Sequence, residues 1–193
     1  GEASAASYPG LLGPGLVVMK GTTGYDGQFF YLVAQDPFLQ RREFTVVERY
    51  QRLGYPLLAD ILALGQRDLL PYSLILVNLL AILGGMHVMQ ILLRDLGKGP
   101  WLGLLLGVNS GNLLSLQHDL ADALALSLGV GALFAYQRRR LDWAVGLLAA
   151  ALLTRESAVL FLITLVAWEL GQRNLWRAAW LGLSLLPYAL FQL

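Results

Sequence analysis

The sequence around Asp26 is suited to catalysis. Asp26 lies between glycines in segment 24–28 (GYDGQ), and three aromatic residues follow this segment directly. An aspartate held there could act as a general base toward a hydroxyl group. Tyr25 and Gln28 flank it and are candidate substrate-binding residues. The alternative is that Asp26 caps a helix beginning near Gly27, since aspartate is among the preferred N-cap residues. Both interpretations predict a helix directly after Asp26.

A second polar group, segment 118–122 (HDLAD), interrupts an otherwise apolar region. His118, Asp119 and Asp122 are candidate substrate-binding residues there, because the start of a helix presents free N–H groups to phosphate or sugar oxygens. We predict that this segment opens a helix. Asp119 and Asp122 also resemble a capping pair, and acids in a first turn are favoured by the helix dipole. Capping alone could explain both aspartates.

Arg155 and Glu156 stand in the most apolar part of the chain. Charges near hydrocarbon are costly and usually functional, and the guanidinium fork of Arg155 suits a phosphate. The alternative is a structural ion pair between neighbouring helices. Arg49 and Arg52 form a further cationic pair of candidates, for which a solvated loop surface is the default interpretation.

The composition identifies the kind of protein that carries these residues. The 193 residues are 56% hydrophobic and 14% charged, with a mean hydropathy of +0.58. That is too apolar for an ordinary soluble domain, so we predict an integral membrane protein. The net charge of +1 gives no indication of nucleic-acid binding. The chain has no cysteine and two histidines, so we predict no metal site and no cofactor.

The charged junctions predict how the chain is arranged in the membrane. Residues 70–93 are apolar over more than the roughly 20 residues that a spanning helix needs. Lysine and arginine mark cytoplasmic loops, and they concentrate in 94–98, 138–140 and 173–177. Asp26, segment 118–122 and Arg155-Glu156 then lie on the outer side.

The predicted fold class is therefore all-α, a polytopic integral membrane helical bundle. Residues 1–69 form an extracytoplasmic loop region with short helices, which carries Asp26. Residues 70–193 form a transmembrane region of four or five segments. The polar residues 109–112 predict a bent or discontinuous helix within 101–117. The apolar run at the C-terminus ends without a polar flank, so we expect the chain to be the N-terminal part of a longer protein.

Residues 141–170 allow two arrangements. Two short helices could meet outside at 154–157, or one long tilted helix could hold Arg155 and Glu156 at membrane depth. The first arrangement agrees with the positive-inside rule. The second would carry Arg173 and Arg177 to the outer side, against that rule.

Taken in order, four motifs resemble a family of bacterial multispanning proteins of cell-surface glycopolymer formation, which are in turn similar to GT-C glycosyltransferases. The motifs are YDGQFFY at 25–31 with Asp36-Pro37, RYQRL at 49–53 with YPLL at 55–58, DLADALA at 119–125, and LTRESA at 153–158. The resemblance covers most of the chain. It implies a partial GT-C-like fold in the bacterial inner membrane.

The resemblance also implies an activity, the transfer of a sugar from a polyprenyl-phosphate donor to a cell-surface glycan or a lipid-linked acceptor. An acidic residue of the first extracytoplasmic loop lies in the active site of such enzymes, and only Asp26 matches it. Arg155, with Arg52, would hold the donor phosphate, and Asp119 or Asp122 would contact sugar hydroxyls. Membrane lipids are the other expected partners.

Two other classes of protein remain open from the sequence. In a non-catalytic membrane subunit or assembly factor, the same charges would form structural pairs. A transporter of a lipid-linked glycan would need a polar path across the bilayer and an internal repeat. The sequence contains no evident repeat.

Overall fold

A computed structural model describes residues 26–38 and 52–192, and throughout these residues the chain is all-α. Short 3-10 turns at Arg67–Leu69, Pro100–Gly103 and Glu156–Ala158 separate several of the helices. The α-helices are, in chain order, α1 (Gly27–Gln35), α2 (Gly54–Leu62), α3 (Leu70–Asp95), α4 (Leu104–Gly107), α5 (Ser110–His118), α6 (Asp122–Gln137), α7 (Leu141–Thr154), α8 (Val159–Gly171), α9 (Leu175–Gly182) and α10 (Leu185–Gln192).

Helix α3 is the longest element and confirms the helix predicted for residues 70–93. Its 26 residues extend about 39 Å at 1.5 Å per residue, which exceeds the roughly 30 Å of a hydrocarbon core. Among the described residues, the stretch Arg67–Asp95 is the one helix that is both long and apolar enough to cross a membrane. Shorter apolar helices cover Asp122–Gln137, Leu141–Thr154 and Leu175–Phe191.

The interruption predicted at 109–112 is confirmed. Helix α4 ends at Gly107 and α5 begins at Ser110, with Asn109 between them in an extended conformation. The Asn109 side-chain oxygen accepts a hydrogen bond of 3.0 Å from the backbone N–H of Asn112. Both asparagine amides donate to the carbonyl oxygen of Leu106. The break is therefore a capped helix start whose polar groups are paired.

A second break settles the arrangement of residues 141–170. Helix α7 ends at Thr154, Arg155 has an extended backbone, and a 3-10 turn precedes α8. The expectation of two short helices is confirmed, and the alternative of one uninterrupted helix is wrong. The chain turns here without glycine or proline because the extended Arg155 itself interrupts the helical hydrogen bonds.

The helix predicted to open in segment 118–122 begins at Asp122, the last residue of the segment, and a start at Asp119 is wrong. His118 is the last residue of α5, and Asp119 ends that helix with a left-handed backbone of φ 52°. Aspartate tolerates this conformation better than most residues. Helix α6 begins at Asp122, and its N-cap residue, Ala121, has no side chain that could cap it. The capping-pair interpretation of Asp119 and Asp122 therefore fails.

Two apolar cores hold the helices together. The first joins α1, α2 and α3, and in it the rings of Phe30 and Tyr55 meet edge to face, 5.3 Å apart. The second joins α6, α7, α8 and α9 around Leu148, Leu162 and Leu181. Close packing of these apolar side chains holds the helices of each core together.

Asn78 of α3 makes the polar connection between these elements. Fully buried, its amide nitrogen lies 2.9 Å from the Tyr55 hydroxyl oxygen and 3.0 Å from the carbonyl oxygens of Ser115 and Leu120. Tyr55 in turn donates to the carbonyl oxygen of Leu74, at 2.9 Å. One amide thus joins α2, α5 and the turn before α6 to the long helix.

The basic junctions come together at the opposite end of α6. Arg138 forms an ion pair of 2.7 Å with Asp95. The buried carboxylate of Glu169 accepts a hydrogen bond of 2.6 Å from Tyr136 and lies 3.6 Å from Arg177. The ends of α3, α6 and α8 and the start of α9 therefore share one pole of the bundle, which we call the basic pole.

Replacing Asn78 with Leu should lower the free energy of unfolding by about 1–3 kcal/mol, because the Tyr55 hydroxyl and the carbonyl oxygen of Leu120 lose the amide as their donor. Thermal unfolding of the purified protein in detergent measures the change. Ser127→Ala is the control, since the buried Ser127 hydroxyl has no hydrogen-bond partner among the described residues. Equal effects of the two substitutions would contradict the role given to Asn78.

Candidate functional site

An arginine and two acids from distant parts of the chain lie together at the N-terminal end of α2. The Arg52 guanidinium donates two hydrogen bonds to Glu156, of 3.0 Å and 2.6 Å, in the bidentate geometry that gives the strongest pairs. A third nitrogen of Arg52 lies 3.5 Å from a carboxylate oxygen of Asp26. Arg52 therefore connects the loop before α1 with the turn between α7 and α8.

A second ion pair lies beside the first. Arg155 donates a hydrogen bond to the carboxylate of Asp122, at the start of α6. We call the two ion-paired arginines and their three acidic neighbours the charged cluster: Asp26, Arg52, Asp122, Arg155 and Glu156. These residues come from four separate segments and include five of the ten residues that the sequence predicted for the site.

The ion pair between Arg52 and Glu156 shifts the pKa values of both groups. The hydrogen bonds to Glu156 raise the pKa of Arg52, against the opposing effect of its partial burial. Partial burial alone would raise the pKa of Glu156, but the hydrogen bonds and charge of Arg52, together with the charge of Arg155, hold it below its usual value. Arg52 and Glu156 therefore both carry their full charges at neutral pH.

The predicted helix after Asp26 is confirmed, because α1 begins at Gly27. Asp26 occupies the N-cap position, and its backbone oxygen accepts hydrogen bonds from Phe29 and Phe30. Its carboxylate makes no capping hydrogen bond and lies near Arg52 instead. Asp26 therefore caps α1 through its backbone, while its side chain, 48% exposed, belongs to the charged cluster.

A close backbone contact holds α1 against the turn before α6. A Cβ atom at Gly27 would overlap the carbonyl oxygen of His118 and come within 3.0 Å of the Cβ of Asp119. Only glycine permits this approach. Gly54 makes a comparable contact at the start of α2, where a Cβ atom would overlap the hydroxyl of Thr154. These two glycines fix Asp26 and Arg52 relative to the bundle.

Asp119 lies beneath the cluster and faces inward. One of its carboxylate oxygens is buried and has no hydrogen-bond partner among the described residues. Burial raises the pKa of Asp119 to about 6. The pKa of Tyr55 is also raised, first by burial and then by the charge of Asp119. The Asp119 carboxyl therefore titrates near neutral pH, unlike an exposed aspartate.

The remaining predicted site residues have different positions. Gln28 lies in the first turn of α1, next to Asp26. His118 is half-buried at the end of α5, and its backbone carbonyl contacts α1. Tyr25 and Arg49 fall outside the residues that the structure describes.

A groove of about 500 Å³ opens beside the charged cluster, between α5, α6 and α8. Asp122 lines it, together with polar groups of Asn112 and Ser157. Leu126, Leu133 and Phe161 line its apolar part. The groove thus combines a polar region at the ion pairs with an apolar region along α6 and α8.

Sequence reasoning missed several residues of this region. It did not pair Arg52 with Glu156, because no local pattern links residues so distant along the chain. It treated Asn109 and Asn112 only as a helix break, although both line the groove. It gave Gly54 and Thr154 no role. The apolar surroundings of Thr154 were the available signal, since a buried hydroxyl needs a partner, here the carbonyl oxygen of Ala150.

The described residues contain no group of three or more histidine, cysteine or acidic side chains arranged to hold a metal ion. Comparison with known proteins adds no assignment. No family model, curated protein or solved structure matches the chain.

The raised pKa of Asp119 predicts a pH-dependent stability. Its carboxyl ionises near pH 3.8 in the unfolded chain and near 6 in the folded protein, so stability is lost as the pH rises through this window. The shift sets an upper limit of about 3 kcal/mol, and solvent screening reduces the expected loss to about 1–2 kcal/mol. Asp119→Asn should not show this loss.

Thermal unfolding at pH 3.5 and pH 7 tests this prediction. From pH 3.5 to pH 7, the wild type should lose more stability than Asp119→Asn. The exposed Asp68 provides the control, because Asp68→Asn should follow the wild type at both. A constant difference between wild type and Asp119→Asn would show that folding does not shift the pKa of this carboxyl.

Proposed function

We propose that the chain crosses the bacterial inner membrane several times, with the charged cluster on the extracytoplasmic side. The surface of α3 supports one of these crossings, because only 39% of its most apolar window is buried, whereas the core helix of a soluble protein is mostly buried. Its exposed apolar side chains include Ile75, Leu79, Leu80 and Leu83. The positive-inside rule supports a cytoplasmic location for the basic pole.

The other apolar helices are shorter than a bilayer is thick. Helix α6 has 16 residues and α7 has 14, which correspond to about 24 Å and 21 Å. Short helices can cross where the bilayer thins or where polar ends reach the interface. Their ends here are polar, with Asp122 and Arg155 at one pole and Arg138 to Arg140 at the other.

Within that membrane arrangement, we propose a GT-C-like glycosyltransferase that moves a sugar from a polyprenyl-phosphate donor to a cell-surface glycan or a lipid-linked acceptor. The carrying observation is the charged cluster, in which Asp26, Arg52, Asp122 and Arg155 converge beside a groove. Each of the four motifs that resemble this family supplies one of the four segments of the cluster, and RYQRL at 49–53 is the one that supplies Arg52.

The proposed reaction is a substitution at the anomeric carbon. Asp26 takes the proton of the acceptor hydroxyl while the oxygen of that hydroxyl bonds to the anomeric carbon. The bond between that carbon and the phosphate oxygen breaks, and polyprenyl phosphate leaves with the bonding electrons. Stabilising the negative charge on the leaving phosphate then lowers the activation barrier more than protonating the phosphate would.

Arg155 is suited to the phosphate because it has unused donors. A guanidinium carries five N–H groups, and one hydrogen bond joins Arg155 to the described residues. The groove beside it supports the same donor, since its apolar part can accommodate an isoprenoid chain. Asp122, which lines the groove, would then contact sugar hydroxyls, whereas Asp119 faces inward beneath the cluster. Gln28 and His118 would border the acceptor.

Asp26→Asn should abolish transfer, with a decrease of roughly 100-fold or more, because the amide cannot accept the proton. The measurement is surface glycopolymer in the native host, at equal membrane abundance of the protein. Asp68→Asn is the matched control, since it makes the same chemical change at an exposed position outside the cluster. Normal polymer in Asp26→Asn would refute catalysis by this residue.

A non-catalytic membrane subunit is the second candidate, and the charge balance of the cluster favours it. Three carboxylates face two guanidinium groups, and both arginines are already in ion pairs. These five side chains alone therefore provide no net positive charge for a phosphate. In this candidate the two pairs join α1, α2 and α6 to the turn between α7 and α8.

Replacing Arg52 and Glu156 together by Gln separates the two candidates. Arg52→Gln removes the hydrogen-bonding partner of Glu156, and Glu156→Gln leaves Arg52 with only its longer contact to Asp26. The double variant removes both charges and should recover much of the lost stability. A glycosyltransferase that needs Arg52 should lose polymer in the stable double variant. A structural pair predicts that the double variant makes normal polymer, measured with the same assay.

A further inference from the structure

The basic pole contains a groove distinct from the charged cluster. It has a volume of about 810 Å³ and lies between α3, α6 and α7. Its lining combines apolar side chains with two arginines and a tryptophan: Val88, Phe134, Arg138, Arg140, Trp143 and Leu147. None of these residues belongs to the proposed active site.

The two arginines of the groove differ in their interactions. Arg138 is paired with Asp95, and its guanidinium lies over the ring of Phe134, 5.1 Å from the centroid. Arg140 forms no ion pair within the described part of the chain, and it is exposed. The groove therefore has a positive charge that no carboxylate of the described residues neutralises.

The apolar wall gives the groove a second chemical character. Trp143 is 65% exposed at its edge, a setting typical of aromatic residues at a membrane interface. Below it, Val88 and Leu147 continue the apolar surface along α3 and α7. At Gly131 an added Cβ atom would meet only Leu147, at 3.5 Å, so the glycine leaves room in the groove without being required by the packing.

We infer that this groove binds an anionic phospholipid, with the headgroup phosphate between Arg138 and Arg140 and an acyl chain along Val88 and Leu147. Charge complementarity decides the class of occupant. Basic pockets between helices on the cytoplasmic side suit anionic headgroups, and the apolar wall suits the acyl chain of a lipid, which a free phosphate lacks. The inference rests on the proposed membrane arrangement and not on the proposed chemistry.

Native mass spectrometry of the purified chain tests the site, with phosphatidylglycerol and phosphatidylcholine of identical acyl chains as the two ligands. The wild type should retain one phosphatidylglycerol in preference to phosphatidylcholine. Arg140→Gln should weaken this binding about fivefold, since one arginine near an anionic surface contributes about that factor. Gly131→Leu should weaken it by filling the groove.

Two matched variants control for charge and for size. Arg139→Gln removes the same charge from the neighbouring residue, which does not line the groove, and should bind like the wild type. Gly84→Leu adds the same side chain at a helical glycine with nothing within 4 Å, and should also bind normally. Because Arg140 is exposed, its substitution keeps the test valid if Gly131→Leu fails to fold.

Three results would overturn the inference. The first is equal retention of the two lipids, and the second is that Arg139→Gln and Arg140→Gln weaken phosphatidylglycerol binding equally. The third is a mass spectrum in which the chain is a dimer without bound lipid. Incorporation of the chain into vesicles is measured in parallel. A chain that does not insert would refute the membrane arrangement itself. A chain that inserts without preferring phosphatidylglycerol would refute only the lipid site.

Discussion

The rest of the structure depends on the buried amide of Asn78. It bonds to Tyr55, three residues after Arg52, and to the carbonyl oxygen of Leu120, two residues before Asp122. A polar side chain this deep is costly unless it is paired. These bonds therefore fix the short helices before α3 against the turn before α6. The positions of the charged cluster follow from that connection.

The bundle is chemically different at its two poles. One pole brings Arg52 and Arg155 together with three carboxylates beside a groove. The other contains Arg138 and Arg140 beside a second groove. Apolar helices separate the two, and much of the α3 surface is exposed. The proposed membrane arrangement accounts for a charged cluster and a basic pole at opposite ends of a bundle whose longest helix keeps much of its apolar surface exposed.

Local sequence signals predicted the elements well and their connections poorly. The apolar run of α3, the polar break at Asn109 and the helix after Asp26 all follow from composition and spacing. The left-handed Asp119 could not be predicted, because a hydrogen bond from its N–H to Ser115 and the contact with Gly27 determine its conformation. Nor could the pairing of Arg52 with Glu156, which depends on the tertiary fold. Long-range contacts leave no periodic signal in a single sequence.

The central claim is that the charged cluster and the basic pole lie on opposite sides of a membrane. The chain has no cysteine, so single cysteines can be introduced at Asp26, Ser157, Gly97 and Arg139 and reacted with a membrane-impermeant maleimide. In spheroplasts, positions 26 and 157 should react, and positions 97 and 139 should react only after permeabilisation. Reaction of positions 139 and 157 together in intact spheroplasts would contradict the arrangement.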